Sequence, residues 1–430
     1  MDFKDARPKA DGVANQGMAK EWPGNETMID SPTAVQTGAT RSNVDYVERA
    51  RRLQPTIAAA AARIQEEREL PADLVEALHE AELYRLLIPR SCGGVELELP
   101  TFVETMETVA KADASTAWCL SQAAGCAMAA AYAEPATAQE IFGDPKGVLA
   151  WGPPAGKTQA VEVKGGYRVT GTWQFASGSR HATWMGAKGP VFDSKGNMRM
   201  DKDGKTPLAR TMLFPRAKAK ITDTWQVIGL KGTGSDRYEV DDLFVPAEHS
   251  LLMDDPAARR EPGTLYRFAS IPAHGYTFCG VALGVARTAL DAFIDLAGNK
   301  TPKHWNGTLR NSALIQYQVA VAEAQLRSAR MFLFQQLSDV WTEVDRSGRQ
   351  TEDQRIGLRL ATTYGMNQAK EVVDFAYYNA GATAIFNSNP FERPFRDIHT
   401  ICQQGQAAPI NMEAVGQRLL GVETNTSRPI

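Results

Sequence analysis

The chain of 430 residues carries 47 basic and 50 acidic side chains, a formal charge of −3, with 43% hydrophobic and 23% charged residues. This balance is typical of a globular protein and argues against a nucleic-acid-binding protein, whose surface would carry a basic excess. The five cysteines are scattered and never form a CxxC pair, which predicts neither a disulfide framework nor a zinc site, so we expect a cytoplasmic enzyme.

Residues 1–43 are rich in Gly, Pro, Thr and Asp without an amphipathic period, and we interpret them as a flexible tail. They contain no apolar stretch of the kind that forms a secretory signal. From residue 44 apolar side chains recur at helical spacing, first around Ile57 and then, after Pro71, around Leu74. A helix of small residues is predicted over 115–133. The pattern therefore predicts a helical domain over 44–147.

In the middle of the chain the pattern changes to a strict alternation of apolar and polar residues. Val161, Val163, Tyr167 and Val169 alternate with polar residues around a glycine turn at 164–166, which predicts a β-hairpin. Further turn signals and short apolar runs follow up to residue 250. We predict a compact β-barrel domain over 148–250.

The helical period returns after Pro262 and predicts a helical bundle over 251–430. The side chains predicted to pack within it include Leu314, Tyr317, Val321, Ala324 and Leu326. No apolar run approaches the roughly 20 residues that a membrane-spanning helix needs, so no membrane partner is expected. The predicted fold class is α+β: an N-terminal helical domain, a middle β-barrel and a C-terminal helical bundle. The bundle helices are predicted over 266–296, 312–344, 354–384 and 406–420.

Several familiar site patterns are missing from the sequence. The glycine cluster at 229–234 lacks the third spaced glycine and the βαβ context of a dinucleotide-binding fold. Neither a P-loop nor a GxSxG nucleophile elbow occurs, which disfavours NTPases and α/β-hydrolases. The six histidines are never spaced i, i+3 or i, i+4, so we expect no bound metal.

Two segments combine residue types suited to a site. In WQFASG at 173–178, Trp173 could wall off a flat cofactor and Ser177 could hydrogen-bond its edge, or the segment is a barrel corner with a core tryptophan. The segment 389–399 gathers two arginines with Asp397 and His399, which could hold a phosphate or form a structural ion-pair cluster. For each of these two segments, the residue types alone do not decide between a functional site and a purely structural role.

Five segments, taken together and in this order, resemble the acyl-CoA dehydrogenase superfamily. The resemblance covers the chain from about residue 44 to its end. It implies an N-terminal helical domain, a middle β-barrel and a C-terminal four-helix bundle, assembled as a homotetramer. The matching segments are IPRSCGG at 88–94, WQFASG at 173–178, GTGS at 232–235 with Val-Pro at 245–246, LGVAR at 283–287, and FRD at 395–397.

The superfamily contains two chemistries. Dehydrogenation of an acyl-CoA needs a carboxylate base that removes the α-proton. In the family this glutamate follows the Arg-Asp pair or lies on the first helix of the bundle. Here Gln404 stands near the first position, and no Asp or Glu occurs between Glu261 and Asp291, around His274, where the second would be. The sequence more closely resembles the two-component flavin-dependent monooxygenases of this fold, such as p-hydroxyphenylacetate hydroxylase and dibenzothiophene monooxygenase, in the segments 113–118, 173–184 and 387–399.

This branch implies a cofactor, a co-substrate and a partner. Its members take reduced FMN or FAD from a separate NAD(P)H:flavin reductase. They react the flavin with molecular oxygen to a C4a-hydroperoxyflavin and then oxygenate a small aromatic or heteroaromatic substrate. The missing dinucleotide-binding motif is consistent with a separate reductase.

The resemblance also assigns residues to the flavin. It implies that Ser177 lies near flavin N5, with Trp173, Phe175 and Ala176 along the ring. Tyr377 replaces the glutamine that usually precedes the family's flavin-binding glycine pair, so we favour FMN over FAD. The remaining flavin contacts that we predict are Arg310 and Arg396 for the phosphate and Ala380 with Gly381 across a subunit interface.

Hydroxylases of this branch often carry a histidine near the position of Gln404, which this chain lacks. Either His274 or His399 takes over, or the substrate needs no deprotonation, which favours an indole-like ring. We further expect Trp118, Gln122, His274 and Phe278 to contact the substrate. The alternatives are a flavin dehydrogenase or oxidase with another base, and a superfamily member without catalytic activity.

Overall fold

The computed structural model describes residues 45–422, so the tail predicted over 1–43 lies outside the described residues. The described residues form one compact unit in which helices, then strands, then helices follow one another along the chain. This order confirms the predicted fold class. The domain limits at residues 147 and 250 remain our prediction.

The first part of the described chain is helical. Asp113 caps α4, because its carboxylate accepts a hydrogen bond from the backbone N–H of Thr116 at 2.7 Å. α4 is buried along nearly its whole length and is shorter than predicted, since the chain continues from Met128 to Tyr132 as a 3₁₀ helix. The helices are α1 (Tyr46–Glu67), α2 (Ala72–Glu80), α3 (Leu99–Ala110), α4 (Ala114–Ala127) and α5 (Pro135–Phe142).

Eight strands of the described chain form one mixed sheet: β1 (Leu149–Ala150), β2 (Gln159–Val163), β3 (Gly166–Ala176), β4 (Trp184–Phe192), β5 (Ala209–Pro215), β6 (Lys220–Thr222), β7 (Asp236–Pro246) and β8 (Ser250–Leu251). Their order is β6-β7-β3-β2-β4-β5-β8, with β1 beside β4. The predicted hairpin is confirmed: β2 and β3 pair antiparallel about Gly165, whose φ of +81° favours glycine. A bulge between Trp173 and Ala176 interrupts the pairing of β3 with β7 and redirects the chain at the end of β3.

The last part of the described chain is a helical bundle built around α6. Gly284 lets α6 pack closely on α3, since a Cβ there would lie 2.4 Å from the Glu107 carbonyl oxygen. By length and composition α6 could cross a membrane, but 72% of its apolar window is buried inside the fold. The helices are α6 (Ser270–Asn299), α7 (Ala313–Ser347), α8 (Glu352–Ala380), α9 (Glu392–Ile401) and α10 (Ile410–Leu419).

The bundle face of α7 differs from the prediction. Leu326 is buried as predicted, whereas the other four, Leu314, Tyr317, Val321 and Ala324, are exposed, so the prediction is wrong for those four. The buried face of α7 also includes Ile315 and Ala322, which follow Leu314 and Val321 by one position. Apolar residues line both faces at helical spacing, and the period alone does not say which face meets the neighbouring helices.

Candidate active site

A cavity of about 710 Å³ lies between the sheet, α4, the first turns of α6 and the segment that follows α9. This volume falls in the range of small-molecule and cofactor sites. Its wall combines five aromatic side chains of Trp and Phe with twelve polar residues, and seven of its lining residues were predicted from the sequence. These seven are Trp118, Gln122, Phe175, Ser177, His274, Phe278 and Gln404.

Two aromatic rings form a flat wall where α4 meets α6. The rings of Trp118 and Phe278 stack with their centroids 3.7 Å apart and their planes 5° apart. The indole N–H of Trp118 donates to Ser177 Oγ at 3.1 Å. This contact joins the helical wall to the end of β3.

Ser177 reaches the cavity because the chain twists sharply after the bulge. Phe175 has a φ of +59°, which is rare for a residue with a Cβ, and Gly178 follows at +78°. The Ser177 hydroxyl lies 2.6 Å from the hydroxyl of Ser235, which lies 2.6 Å from that of Thr233. The three hydroxyl side chains are buried, and Ser177 and Ser235 line the cavity.

His274 lies on α6, and one of its two ring nitrogens makes a hydrogen bond. Its Nδ1 is 2.8 Å from the backbone carbonyl of Ser270, and a carbonyl only accepts, so Nδ1 carries the proton. Within the described residues Nε2 is buried without a hydrogen bond. Burial lowers the pKa of His274, which the Ser270 carbonyl and the charge of Asp254 oppose in part. Nε2 lies against α4, since a Cβ at Gly125 would be 2.3 Å from it.

Asp254 is the carboxylate on the cavity wall, and sequence analysis did not find it. Its φ of +64° is unusual for a residue other than glycine. One carboxylate oxygen accepts from the backbone N–H of Ser270 at 2.9 Å and the other from the Ser270 hydroxyl at 3.1 Å. Asp254 thus caps the first turn of α6, with one hydrogen bond from Ser270 to each carboxylate oxygen.

The two predicted glutamines also contribute to the wall. Gln122 donates from Nε2 to the Trp151 carbonyl at 3.2 Å, which ties α4 to the segment after β1. Gln404 accepts at Oε1 from the backbone N–H of Gln406 at 2.6 Å and so shapes its own loop. An amide has no proton that titrates in the useful range, so neither side chain can serve as a general base.

Comparison with known proteins identifies the family. The acyl-CoA dehydrogenase N-terminal domain matches residues 45–142, and the acyl-CoA dehydrogenase C-terminal domain matches residues 276–407. The chain is 30% identical over 359 residues to the indole-3-acetate monooxygenase of Pseudomonas putida, covering 83% of this chain and 88% of that protein. The chain belongs to the acyl-CoA dehydrogenase superfamily, in its flavin-dependent monooxygenase branch.

A further relative and two solved structures align with the chain over most of their length. The chain is 26% identical over 416 residues to the FADH(2)-dependent resorcinol hydroxylase oxygenase component of a Rhizobium species, covering 92% and 99% of the two chains. XiaF from a Streptomyces species, solved with FADH2 and glycerol, superposes with a TM-score of 0.82 at 23% identity, covering 89% and 97%. The 3-HSA hydroxylase from Rhodococcus sp. RHA1 superposes with a TM-score of 0.80 at 25% identity, covering 89% and 98%. These superpositions confirm the fold.

Trp173 does not line the cavity, so the prediction that its ring lies along the flavin needs correction. Its ring is buried in the sheet, stacked on Tyr238 with centroids 5.4 Å apart, and its N–H donates to the Lys188 carbonyl at 2.9 Å. Trp173 is therefore a core tryptophan, which is one of the two alternatives that the sequence left open. Ala176 is also fully buried and lies off the cavity wall.

The predicted residues around the end of α9 have partners outside the cavity. His399 Nε2 lies 2.7 Å from Asp374 Oδ1. Arg396 donates from Nε to Glu392 at 2.6 Å, and its guanidinium also donates to the Ile228 carbonyl. The geometry of the described chain therefore gives His399 no contact with the cavity and commits Arg396 to positioning the loop after β6.

Three further predicted flavin contacts lie at the far end of the bundle. Arg310 is exposed on a short 3₁₀ helix, and Ala380 ends α8. Gly381 follows with a φ of +58°. None of the three lines the cavity of the single described chain, and their predicted contact across a subunit interface stays a prediction.

The residues on the wall fit a flavin ring. The cavity has the volume for a tricyclic ring beside a small substrate, and Phe175 and Trp225 form an aromatic edge with centroids 6.1 Å apart. Ser177 offers a hydroxyl at this wall. Within residues 45–422 no group of three or more His, Cys, Asp or Glu side chains could hold a metal ion.

Sequence analysis missed the segment 151–154, WGPP, which lines the cavity after β1. Gly152 lies so close to β3 that a Cβ there would be 1.8 Å from the Gln174 carbonyl oxygen. A glycine and two prolines directly after a short strand could have marked a loop that carries function. Lys188 and Trp225 also line the cavity, but no local sequence signal singles them out.

Proposed function

We propose that the chain is the oxygenase component of a two-component system, a reduced-flavin-dependent monooxygenase that acts on a small heteroaromatic compound. The observation that carries this proposal is the wall around Ser177. This wall contains the stacked rings of Trp118 and Phe278 and the Ser177 hydroxyl, which accepts a hydrogen bond from Trp118. It also contains the Asp254 carboxylate, both of whose oxygens accept hydrogen bonds from Ser270. Such a wall can shelter a flat cofactor and a flat substrate, and its carboxylate serves to cap α6.

Reduced flavin, when bound, would supply the electrons that activate molecular oxygen for transfer to the substrate. The chain's own residues exclude water and orient the reacting molecules. The Trp118–Phe278 stack forms an apolar side of the cavity, and Ser177 would hydrogen-bond the edge of a bound flavin ring. Exclusion of water and fixed orientation are the two contributions expected from a protein that uses a reactive cofactor.

An indole-like ring suits the aromatic part of the cavity wall, where the flat side chains of Trp118 and Phe278 lie parallel to each other. Two relatives support the same class by name: the indole-3-acetate monooxygenases of Pseudomonas putida and Acinetobacter baumannii. Lys188 is the cationic side chain among the lining residues and would pair with the carboxylate of such an acid.

The partners follow from the same reasoning. The names of relatives as oxygenase subunits or components support a separate flavin reductase, for which we propose an NAD(P)H-dependent enzyme. We favour FMN over FAD, although relatives and neighbours are named with FADH2 or FMN. Exposed apolar side chains on the bundle, including Tyr317, Met331 and Tyr378, support assembly, and we propose a cytoplasmic homotetramer.

An anaerobic titration followed by oxygen mixing tests the proposal. The protein is loaded with photoreduced FMN and mixed with oxygenated buffer, with and without indole-3-acetate. We expect hydroxylated product in the presence of the aromatic acid and hydrogen peroxide in its absence. Failure to bind reduced FMN and reduced FAD would contradict the proposal.

A flavin dehydrogenase is the second candidate, because Asp254 does lie on the cavity wall. For that reaction the carboxylate would have to leave Ser270 and reach the α-carbon of a thioester. Acyl-CoA compounds would then bleach the oxidised flavin without oxygen. No bleaching is expected from the geometry of Asp254.

A further inference from the structure

Gln406 borders the cavity and also a second, small void between the first turns of α6 and the N-terminal part of α8. The volume of this void is about 10 Å³, which is the space of one water molecule or a small ion. We call it the α8 void. It is lined by Pro272, Tyr276, Arg355, Arg359, Thr362 and Gln406.

Two polar groups at the α8 void make no hydrogen bond within the described residues. One is the hydroxyl of Thr362, whose side chain is 2% exposed, and the other is the buried Nε of Arg355. Helical threonines such as Thr105 and Thr108 donate to the carbonyl four residues earlier, which Thr362 does not. A buried donor without a partner costs free energy, so an acceptor in the void would stabilise the fold.

The α8 void is also a place of positive charge. Arg355 and Arg359 lie one turn apart on α8, and like charges at this spacing destabilise a helix. Burial raises the pKa of Tyr276 to about 12, and a hydrogen bond with Gln350 and the charges of Arg359 and Arg355 oppose this rise. Both positive charges therefore act at one buried hydroxyl. Among the described residues that line the void, none is acidic.

The side chain of Gln406 is the wall between the α8 void and the cavity. Its backbone carbonyl is fixed, because it accepts from Thr363 Oγ1 and from Asn411 Nδ2, both at 2.8 Å. The side chain lies on Gly275, where a Cβ would be 3.0 Å from Oε1, and its Nε2 donates to the Ile271 carbonyl at 3.4 Å. A ligand in the void thus lies one loosely held side chain away from the cavity.

We infer that the α8 void is a binding site for a small monovalent anion, with a halide ion or a carboxylate oxygen of the acidic substrate as its source. An anion accepts hydrogen bonds from Arg355 and Thr362 together and offsets the two positive charges, whereas a water molecule offsets no charge. The carboxylate source rests on the proposed function and requires the Gln406 side chain to turn away from Ile271. The halide source requires neither.

Unfolding temperatures of the flavin-free full chain test the site without turnover. Chloride replaces gluconate, an anion too large for the α8 void, at constant ionic strength. The unfolding temperature of the wild type should rise with chloride, and the rise gives a dissociation constant. Arg355→Gln and Thr362→Val should each weaken chloride binding about tenfold, because each removes one donor to the anion.

Arg346→Gln is the matched control. Arg346 is an exposed arginine of α7 that pairs with Glu343 at 2.7 Å, and its replacement should leave chloride binding at the wild-type value. An unfolding temperature that responds equally to chloride and gluconate overturns the inference. Unchanged chloride binding in both Arg355→Gln and Thr362→Val overturns it as well.

Addition of indole-3-acetate distinguishes the two sources of the anion. We expect the dissociation constant of chloride to stay unchanged, because Lys188 is proposed to bind the carboxylate of this acid, and this result supports a halide site. A constant that increases with indole-3-acetate, but not with indole, supports the substrate carboxylate as the occupant. A protein that binds chloride but neither flavin nor indole-3-acetate would contradict the proposed function and leave the anion site standing.

Discussion

Replacing Asp397 with asparagine should remove a pH dependence of the free energy of unfolding. Asp397 is 2% exposed, and its Oδ1 accepts from the Leu230 amide at 2.6 Å. Burial raises the pKa of this carboxyl from the ordinary 3.8 to about 7. The Leu230 amide and Arg393 oppose the rise, and the charge of Asp113 adds to it.

The direction of the pH dependence follows from whether the folded or the unfolded state binds the Asp397 proton more tightly. The pKa of Asp397 is higher in the folded than in the unfolded protein, so the folded state binds the proton more strongly. The cost of a buried charge is absent below about pH 4 and grows as the pH rises to about 7, so stability falls over this window. The difference between the two pKa values corresponds to about 4 kcal/mol, or about 1.4 kcal/mol for each pH unit.

Urea denaturation of flavin-free protein at pH 5, 6, 7 and 8 measures the effect. Asp397→Asn keeps an acceptor for the Leu230 amide but cannot ionise, so its stability relative to the wild type should increase with pH up to about 7 and then level off. Asp339→Asn, an exposed carboxylate on α7, is the control and should track the wild type. A difference between Asp397→Asn and the wild type that is constant, or that falls as the pH rises, refutes the reasoning.

Three further substitutions test the cavity wall. Gly125→Ala places a Cβ 2.3 Å from His274 Nε2 and should raise KM for the aromatic substrate about tenfold with flavin affinity unchanged, whereas Gly416→Ala, which meets open space, should change neither. Lys188→Gln should raise KM for indole-3-acetate about tenfold and leave KM for indole unaltered; equal effects on the two would exclude the ion pair. Phe278→Ala should lower the free energy of unfolding in urea by about 3–5 kcal/mol, and a loss below about 1 kcal/mol would mean that the ring is poorly packed.

The order of helices and strands could be predicted from the sequence because each element carries its own period. The hairpin about Gly165 is an example, since alternation and a glycine turn specify it locally. The exposed face of α7 could not be predicted, because Leu314 and Ile315 both belong to apolar rows and only the neighbouring helices choose between them.

The candidate site was predicted where the resemblance supplied a motif and missed where tertiary contacts build it. Ser177 and His274 were placed on the cavity wall by motif and position. Asp254 was missed because it enters from the loop before α6, outside the stretch between Glu261 and Asp291 in which the family's base was sought. Trp173 was assigned to the flavin because a tryptophan beside a site motif fits a cofactor wall and a sheet core equally well, and its partner Tyr238 lies 65 residues further along the chain.

Isotope labelling of the product tests the central claim most directly. The protein, reduced FMN and indole-3-acetate are mixed under ¹⁸O₂, and the product is analysed by mass spectrometry with indole and resorcinol as parallel substrates. We expect one ¹⁸O atom in each molecule of product from at least one of these aromatics. Product that carries oxygen only from water, or flavin oxidised by an acyl-CoA while all three aromatics stay unchanged, would contradict the assignment.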